Sequence, residues 1–287
     1  MGSTSQRRYT MYFTHLFCVF PLLLVLLTAI PHSVTAGDDP SVPAIAIIID
    51  DLGNRRPQGI DALSLPGPIT YAILPHTPFA TYFANDAFTQ GKEVILHQPM
   101  ESTHGKALGP GGLTENMSEA QVLSVLHENL SSIPHVSGLN NHMGSLLSAQ
   151  EQPIDWMMQA VASLSKPLFF VDSRTTPQSV IATLARRNGV ATITRDVFLD
   201  NSKNPHDIRM QFLKLVERAK SRGTALAIGH PYNSTIEVLK QELANLSNHG
   251  VRLVKVSRLI ELRRISRDWT AMQPEANKAP AVRAPRT

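Results

Sequence analysis

The chain has 287 residues, enough for one large α/β domain or two small ones, and 43% of them are hydrophobic, which supplies a substantial core. The formal net charge of +4 is concentrated at the two ends, because Arg7 and Arg8 lie near the start and residues 263–287 are strongly basic. Residues 37–262 are therefore slightly acidic, which excludes a domain that binds nucleic acid through a basic surface.

The first predicted element is a secretory signal peptide at residues 1–36. Arg7 and Arg8 form a positive region, the run Leu16–Ile30 is largely apolar, and small residues precede the expected cleavage after Ala36. An uncleaved amino-terminal anchor is the alternative, since the apolar run is near the short limit for spanning a membrane. In either case we expect an exported, periplasmic domain, with no stable membrane span after signal cleavage.

Cysteine usage restricts the chemistry of any metal site. The single cysteine, Cys18, lies inside the predicted signal peptide. The mature chain would have no thiol, which excludes disulfides and thiolate ligands. Any metal must therefore be held by histidine and carboxylate side chains.

Short apolar, β-branched runs then alternate with helix-like segments along the chain. Nearly continuous apolar runs indicate strands buried on both faces of a parallel sheet, and we expect about seven or eight of them in an α/β fold. A single domain of residues 37–262 is predicted, followed by a basic disordered tail at residues 263–287. The predicted strands are 44–49, 69–74, 93–96, 136–139, 168–171, 191–194, 225–228 and 251–256, and the clearest helices are 119–130, 210–222 and 235–248.

Polar or ionisable residues stand at the carboxyl ends of six predicted strands. In a β/α barrel these ends converge on one face, where active sites are built. Six such positions in register therefore indicate a functional site. They are Asp50-Asp51, Pro75-His76, His97 to Glu101, Asn140 to His142, Asp172 to Arg174, and Gly229 to Pro231.

Asp50 and Asp51 are the most informative of these residues. Neighbours on a strand point to opposite sides, but a chain that turns at the strand end can aim both carboxylates into one cleft. Two crowded carboxylates repel unless a cation lies between them. We therefore expect one to bind a metal and the other to act as a base. The alternative is that one of them caps the turn at Gly53.

Two histidines are the expected nitrogen ligands of that metal. His97 and His142 each follow a predicted strand, and neutral imidazole together with the carboxylate of Asp51 suits zinc and similar divalent ions. Glu101 is either a further ligand or a loop contact. His230 is a candidate general acid, with a structural turn histidine as the alternative.

A second set of residues is expected to border the site and contact substrate. Asp172 and Arg174 are close enough in sequence to form a charge pair that orients the base, binds substrate or is purely structural. Asn141 and Glu101 complete the expected substrate contacts.

Five short segments, read together, resemble the motifs of a known family. They are IIDDLG at 48–53, LHQPME at 96–101, GLNNHMGS at 138–145, FVDSRT at 170–175 and IGHP at 228–231. This order and content are similar to the divergent polysaccharide deacetylases, which are relatives of the NodB-type carbohydrate esterases. The similarity covers about residues 43–262.

The resemblance implies a distorted (β/α) barrel with a divalent metal, often zinc. In the NodB-type pattern the first aspartate of the pair is the catalytic base and the second is a metal ligand, roles that fall on Asp50 and Asp51. The first metal histidine falls on His97 and the late acid histidine on His230. The second metal histidine of that pattern normally follows the first closely, and here His142 is the expected replacement.

These expectations define a metal-dependent, deacetylase-type hydrolase acting on an envelope polysaccharide or a peptidoglycan-like glycan. Departures from the NodB pattern, such as Leu52 directly after the aspartate pair, motivate an alternative from another class. That alternative is a non-catalytic, metal-containing periplasmic module that binds a glycan or a protein partner.

Overall fold

A parallel sheet of nine strands organises this computed structural model, which describes residues 41–272 of the chain. Helices follow most of the strands, as the alternating sequence pattern predicts. The strands are β1 (Ala44–Leu52), β2 (Thr70–Ile73), β3 (Glu93–Met100), β4 (Gly138–Met143), β5 (Phe169–Asp172), β6 (Thr192–Thr194), β7 (Val197–Phe198), β8 (Thr224–Gly229) and β9 (Arg252–Leu253). The helices are α1 (Arg56–Leu63), α2 (Ala80–Thr89), α3 (Glu119–Ser131), α4 (Glu151–Ala162), α5 (Ile181–Arg187), α6 (Pro205–Arg222), α7 (Asn233–Ala244) and α8 (Val256–Met272).

The strand order shows that the sheet curls into an incomplete barrel. It runs β6-β5-β4-β3-β2-β1-β8-β7, and β9 pairs with the beginning of β1. Strands β6 and β7 therefore form the two ends of the sheet, yet only Arg195 and Asp196 join them along the chain. Two linking residues can span at most about 11 Å, so the two ends must lie close together. The distorted α/β barrel predicted from the sequence is confirmed, with eight strands on the main path and β9 beside β1.

Strand β1 shows why the predicted strands are almost continuously apolar. Ile45, Ile47 and Ile49 belong to the core cluster that includes the helices, whereas Ala46 and Ile48 belong to a second cluster with the other strands and α8. Both faces of β1 are therefore buried, as expected for a parallel sheet covered on both sides.

Capping residues account for the positions at which several helices begin. Helix α3 begins with a capping box, in which the Ser118 backbone N–H donates to Gln121 Oε1 over 2.8 Å. Helix α6 begins earlier than expected because Asn204 caps it through the His206 N–H, with Pro205 in the first turn. The segment expected as a strand at 251–256 is only two residues long in the sheet, since α8 begins at Val256.

The expected start of the disordered tail at residue 263 is wrong, because α8 continues to Met272. Its residue Arg263 donates from Nε to Thr224 Oγ1 over 3.0 Å and pairs with Asp196, so contacts with the barrel hold the helix there. The predicted signal peptide and residues 273–287 of the expected tail lie outside the described residues. Within the described part of the chain, no helix combines the length and apolar character that crossing a membrane requires.

Candidate active site

The two carboxylates of β1 face the same cleft because the strand is irregular at that point. The pairing register with β2 shifts between Ile49 and Leu52, and Asp51 has a left-handed φ of 60°. A bulge of this kind re-aims side chains that a regular strand would turn to opposite faces. A non-glycine residue in this region costs about 1–3 kcal/mol, so the surrounding contacts must hold Asp51 in place.

Three side chains predicted as metal ligands converge beside this bulge. Asp51 Oδ1 lies 3.1 Å from His97 Nε2 and 2.9 Å from His142 Nδ1, and the two ring nitrogens are 3.1 Å apart. In the described part of the chain they form the only group of three or more such side chains that could hold a metal ion. The structure therefore brings together the expected set from β1, β3 and β4.

The chemistry of this donor set fits a divalent metal of the zinc type. Two imidazole nitrogens and one carboxylate oxygen are typical zinc donors, and catalytic zinc sites commonly use three protein ligands and leave one position for water or substrate. Asp51, His97 and His142 are the residues that would hold the ion.

Asn140 connects the second aspartate to this donor set. Its Nδ2 donates to Asp50 Oδ1 over 2.8 Å, and its Oδ1 accepts from His97 Nδ1 over 2.7 Å. An ionised Asp50 can only accept, which fixes the orientation of the amide and requires the proton of His97 on Nδ1. In neutral His97, the lone pair of Nε2 then points toward the donor set, as a metal ligand requires.

The two aspartates have opposite pKa shifts although they are adjacent. Burial raises the pKa of the Asp50 carboxyl above its ordinary 3.8, and the nearby His97 and His230 only partly oppose this. Burial also acts to raise the pKa of Asp51, but in the metal-free protein hydrogen bonds from His142 and from protonated His97 outweigh it and hold that pKa well below the ordinary range. Burial acts to lower the pKa of His97, but the two aspartates outweigh it and raise that pKa. Asp51 is thus suited to remain a charged ligand, and Asp50 is suited to accept a proton.

On the other side of the pair, His230 is held by a buried aspartate. Its Nδ1 donates to Asp200 Oδ1 over 2.9 Å, and its backbone N–H donates to Oδ2 over 2.6 Å. Burial acts to lower the pKa of His230, but the hydrogen bond to Asp200 and the charges of Asp50 and Asp51 outweigh it and raise the pKa to about 9. His230 Nε2 lies 3.8 Å from Asp51 Oδ2, so a protonated imidazole faces the cleft.

Sequence reasoning missed two residues of this arrangement. Asp200 was not recognised because it follows β7, a strand of only two residues that gives no apolar run. Asn140 belongs to the motif segment 138–145, but no role was predicted for it from the sequence. Asn140 and His142 share one face of β4, but the predicted strand ended at residue 139, so this alternation could not be read from the sequence.

The expected substrate contact of Asn141 stays a prediction, and the same alternation places its side chain on the opposite face of β4 from Asn140 and His142. Its Oδ1 accepts from the Ser173 N–H over 2.9 Å, and its Nδ2 donates to the Met143 carbonyl over 2.8 Å. The side chain is buried and its amide links β4 to the segment after β5.

Glu101 makes a loop contact, one of the two roles left open for it by the sequence. Its Oε2 accepts from the Glu115 N–H over 2.8 Å, and its carbonyl accepts from the Leu146 and Leu147 N–H groups. Glu101 therefore fixes the loop after β3 and is not a member of the ligand group, while its expected contact with substrate stays a prediction.

The expected charge pair between Asp172 and Arg174 is not formed by their side chains. Asp172 Oδ1 accepts from the Arg174 backbone N–H over 2.8 Å, and Oδ2 accepts from Ser179 Oγ over 3.0 Å. Arg174 has a left-handed φ of 50°, and its exposed side chain lines a separate cavity. The hydrogen bond from the Arg174 backbone N–H to Asp172 therefore holds the two residues together without an ion pair between their side chains.

A cleft of about 770 Å³ opens above the donor set. Its lining includes Asp51, His142 and His230, together with Tyr232 and Lys203. The ammonium group of Lys203 lies 4.0 Å from the ring centroid of Tyr232, which fixes both at the rim. The volume is within the range of small-ligand sites.

Comparisons with known proteins agree with these motifs. The family model of the divergent polysaccharide deacetylases matches residues 47–260. The uncharacterized protein YibQ of Escherichia coli is 35% identical over 239 residues, which cover 83% of this chain and 72% of that protein. An uncharacterized protein of Haemophilus influenzae is 36% identical over 215 residues, covering 75% of this chain and 76% of that protein.

A solved structure has the same fold. The uncharacterized protein ATU2773 from Agrobacterium tumefaciens superposes with a TM-score of 0.73 at 22% sequence identity. The superposition covers 76% of this chain and 89% of that chain.

Alanine variants of Asn140 and Asn141 should separate metal positioning from fold stability. We expect Asn140→Ala to weaken zinc affinity about 10–100-fold, because His97 loses the group that orients its ring. Asn141→Ala should leave zinc affinity unchanged but lower the free energy of unfolding by about 1–3 kcal/mol, because the buried Ser173 N–H loses its acceptor. Competition against a chromophoric chelator and urea denaturation measure these quantities. An equal loss of zinc affinity in both variants would contradict the assignment.

Replacing Asp200 should change the ionisation of His230. In metal-free protein we expect the pKa of His230 to fall from about 9 toward the ordinary 6.5 in Asp200→Asn, because the neutral amide no longer stabilises the imidazolium. The raised pKa stabilises the fold fully below 6.5, and that stabilisation is lost as pH rises through about 9. The variant should therefore lose more stability at acidic than at alkaline pH.

NMR titration of the histidine rings measures this pKa directly. Thr235→Val is the matched control, because it removes the 2.8 Å hydrogen bond from Thr235 Oγ1 to Asp200 but keeps the carboxylate. A His230 pKa that is the same in wild type and Asp200→Asn would show that the carboxylate does not control this imidazole.

Proposed function

The chain belongs to the divergent polysaccharide deacetylase family, and we propose that it is a metal-dependent hydrolase that removes acetyl groups from a glycan of the cell envelope. One observation carries the proposal. A buried proton acceptor, a three-residue donor set and a protonated imidazole lie close together, and Asp51, His142 and His230 among them line one cleft. In metal-assisted hydrolysis of an acetyl amide or ester, these groups would take a proton from water, hold the metal and give a proton to the leaving group.

The metal of the proposal is zinc, held by Asp51, His97 and His142. When bound, such an ion supplies Lewis-acid stabilisation to the substrate carbonyl and lowers the pKa of water. The absence of cysteine from residues 37–287 and the two imidazole donors support this choice over softer metals.

Asp50 is the proposed general base. Its side chain is 5% exposed, and Oδ2 lies 3.7 Å from His97 Nε2, at the edge of the donor set. Asn140 occupies Oδ1, which leaves Oδ2 to accept the proton of an attacking water molecule. Burial raises the pKa of Asp50, which makes it a better proton acceptor than a solvated aspartate.

His230 is the proposed general acid. Asp200 holds Nδ1 and stabilises the charged ring, so that Nε2 can donate a proton to the leaving amine or alkoxide. His230 Nε2 lies 3.8 Å from Asp51 Oδ2, whereas Asp50 Oδ2 lies 3.7 Å from His97 Nε2, so the acid and the base approach the donor set at different atoms.

The shape of the cleft and the predicted export signal support a glycan substrate. Tyr232 lines the cleft and stacks on His230, with ring centroids 5.6 Å apart, so it offers an aromatic surface beside the acid. The signal-peptide pattern of residues 1–36 supports a location outside the cytoplasm, where envelope polysaccharide and peptidoglycan are available.

Acetate release from N-acetylated oligosaccharides and peptidoglycan tests the proposal. We expect the zinc-loaded protein to release acetate, and Asp50→Asn to lower kcat at least about 100-fold, because the amide cannot accept the proton. Zinc should remain bound in Asp50→Asn, since Asp50 is not one of the three ligands.

Asp207→Asn, an exposed aspartate in the first turn of α6, is the matched control and should retain wild-type kcat. Full zinc occupancy without acetate release from any of these glycans would instead support a non-catalytic, glycan- or partner-binding module. Equal kcat in wild type and Asp50→Asn would rule out Asp50 as the base.

A further inference from the structure

A second cavity lies at the seam of the barrel, where the sheet ends at β6 and β7. It has a volume of about 640 Å³ and shares no lining residue with the cleft above the donor set. Its lining includes residues of β6, α5, α6 and α8. Six arginines converge there, namely Arg174, Arg186, Arg195, Arg218, Arg222 and Arg263.

The negative charge available inside this cavity is small and already engaged. Asp196 is the one acidic residue of the lining. Its Oδ2 accepts from the Leu226 N–H over 2.8 Å and from Arg263 over 2.5 Å, while Oδ1 lies 3.8 Å from Arg222. A large positive excess therefore remains, and five of the six arginines belong to residues 37–262, a segment that is slightly acidic as a whole.

The arginines of the cavity differ in whether their side chains already have partners. Arg195 donates to the Ser173 and Arg174 carbonyls, and Arg218 donates to the Asp196 carbonyl. In the described residues the side chains of Arg174 and Arg186 have no hydrogen-bond or ion-pair partner. Their guanidinium groups are thus available to a ligand.

Gathering like charges in one cavity raises the local positive potential, which attracts anions. Guanidinium groups bind phosphate and carboxylate oxygens in paired hydrogen bonds, and a phosphate ester brings up to two negative charges where a carboxylate brings one. A strong positive excess in a cavity of this size favours a compact group of high charge.

We propose that the arginine cavity is a second binding site, which takes the phosphate group of a phosphorylated ligand of about the size of one sugar unit. The site is separate from the acetyl-hydrolysing cleft and does not depend on the function proposed for it. Arg174 and Arg186 contact the phosphate oxygens, and Arg195, Arg218, Arg222 and Arg263 provide the surrounding positive field.

Isothermal titration of the whole protein with glucose 1-phosphate, inorganic phosphate and glucose tests this site. We expect both phosphates to bind saturably, glucose not to bind, and added sodium chloride to weaken binding because the contacts are ionic. Tighter binding of glucose 1-phosphate than of phosphate would assign the site to a phosphorylated saccharide, and the reverse order to free phosphate. Failure of both phosphates to bind would overturn the proposal.

Variants of two neighbouring arginines on α5 locate the binding. Arg186→Gln should weaken phosphate binding about tenfold, because a charge-assisted contact is lost. Arg187→Gln, an exposed neighbour outside the cavity, is the matched control and should leave the affinity unchanged. Equal weakening in both variants would show general charge attraction and overturn the site. If Arg186→Gln does not fold, phosphate binding is measured with Arg222→Gln on α6, which should also weaken it.

Discussion

The repulsion between two adjacent carboxylates at the end of β1 is the constraint around which the site is organised. Asp50 and Asp51 face the same cleft because of the bulge and the left-handed backbone of Asp51. Such crowding is tolerable only if the negative charge is divided or neutralised. The structure does both, since two histidines hold Asp51 as a carboxylate while burial raises the pKa of Asp50.

The barrel supplies the positions that this compensation requires. β1 lies inside the sheet, and the neighbouring strands bring His97, Asn140 and His142 to one side of the pair and His230 to the other. Residues with a left-handed backbone conformation recur where strands end at this face. Asp51, His76, Met143 and Arg174 all have φ between 50° and 60°. Strained residues of this kind persist where the surrounding fold fixes them, as it does at functional sites.

Much of this arrangement could be predicted from the sequence because parallel strands carry their site residues at one end. The apolar runs located most strands, and the residues that followed them included the complete donor set. Side-chain direction could not be obtained in the same way. The expected strand β4 ended at residue 139, whereas the strand continues to Met143, so the alternation that separates Asn140 from Asn141 was not visible.

Contacts between distant segments account for the remaining differences. Asp200 acquires its role only when β7 pairs with β8 and places it beside His230. Helix α8 extends past the predicted boundary because Arg263 contacts Asp196 and Thr224, residues far away in the sequence. The arginine cavity likewise combines residues from separate helices and a short link, so no local pattern indicates it.

The metal content of the purified protein tests the central claim, that Asp51, His97 and His142 form one metal site. Elemental analysis after zinc loading and gel filtration should find about one zinc per chain. His97→Ala and His142→Ala should each lose the metal, whereas His104→Ala, at an exposed loop histidine, should retain it. Wild-type zinc content in both His97→Ala and His142→Ala would contradict the account.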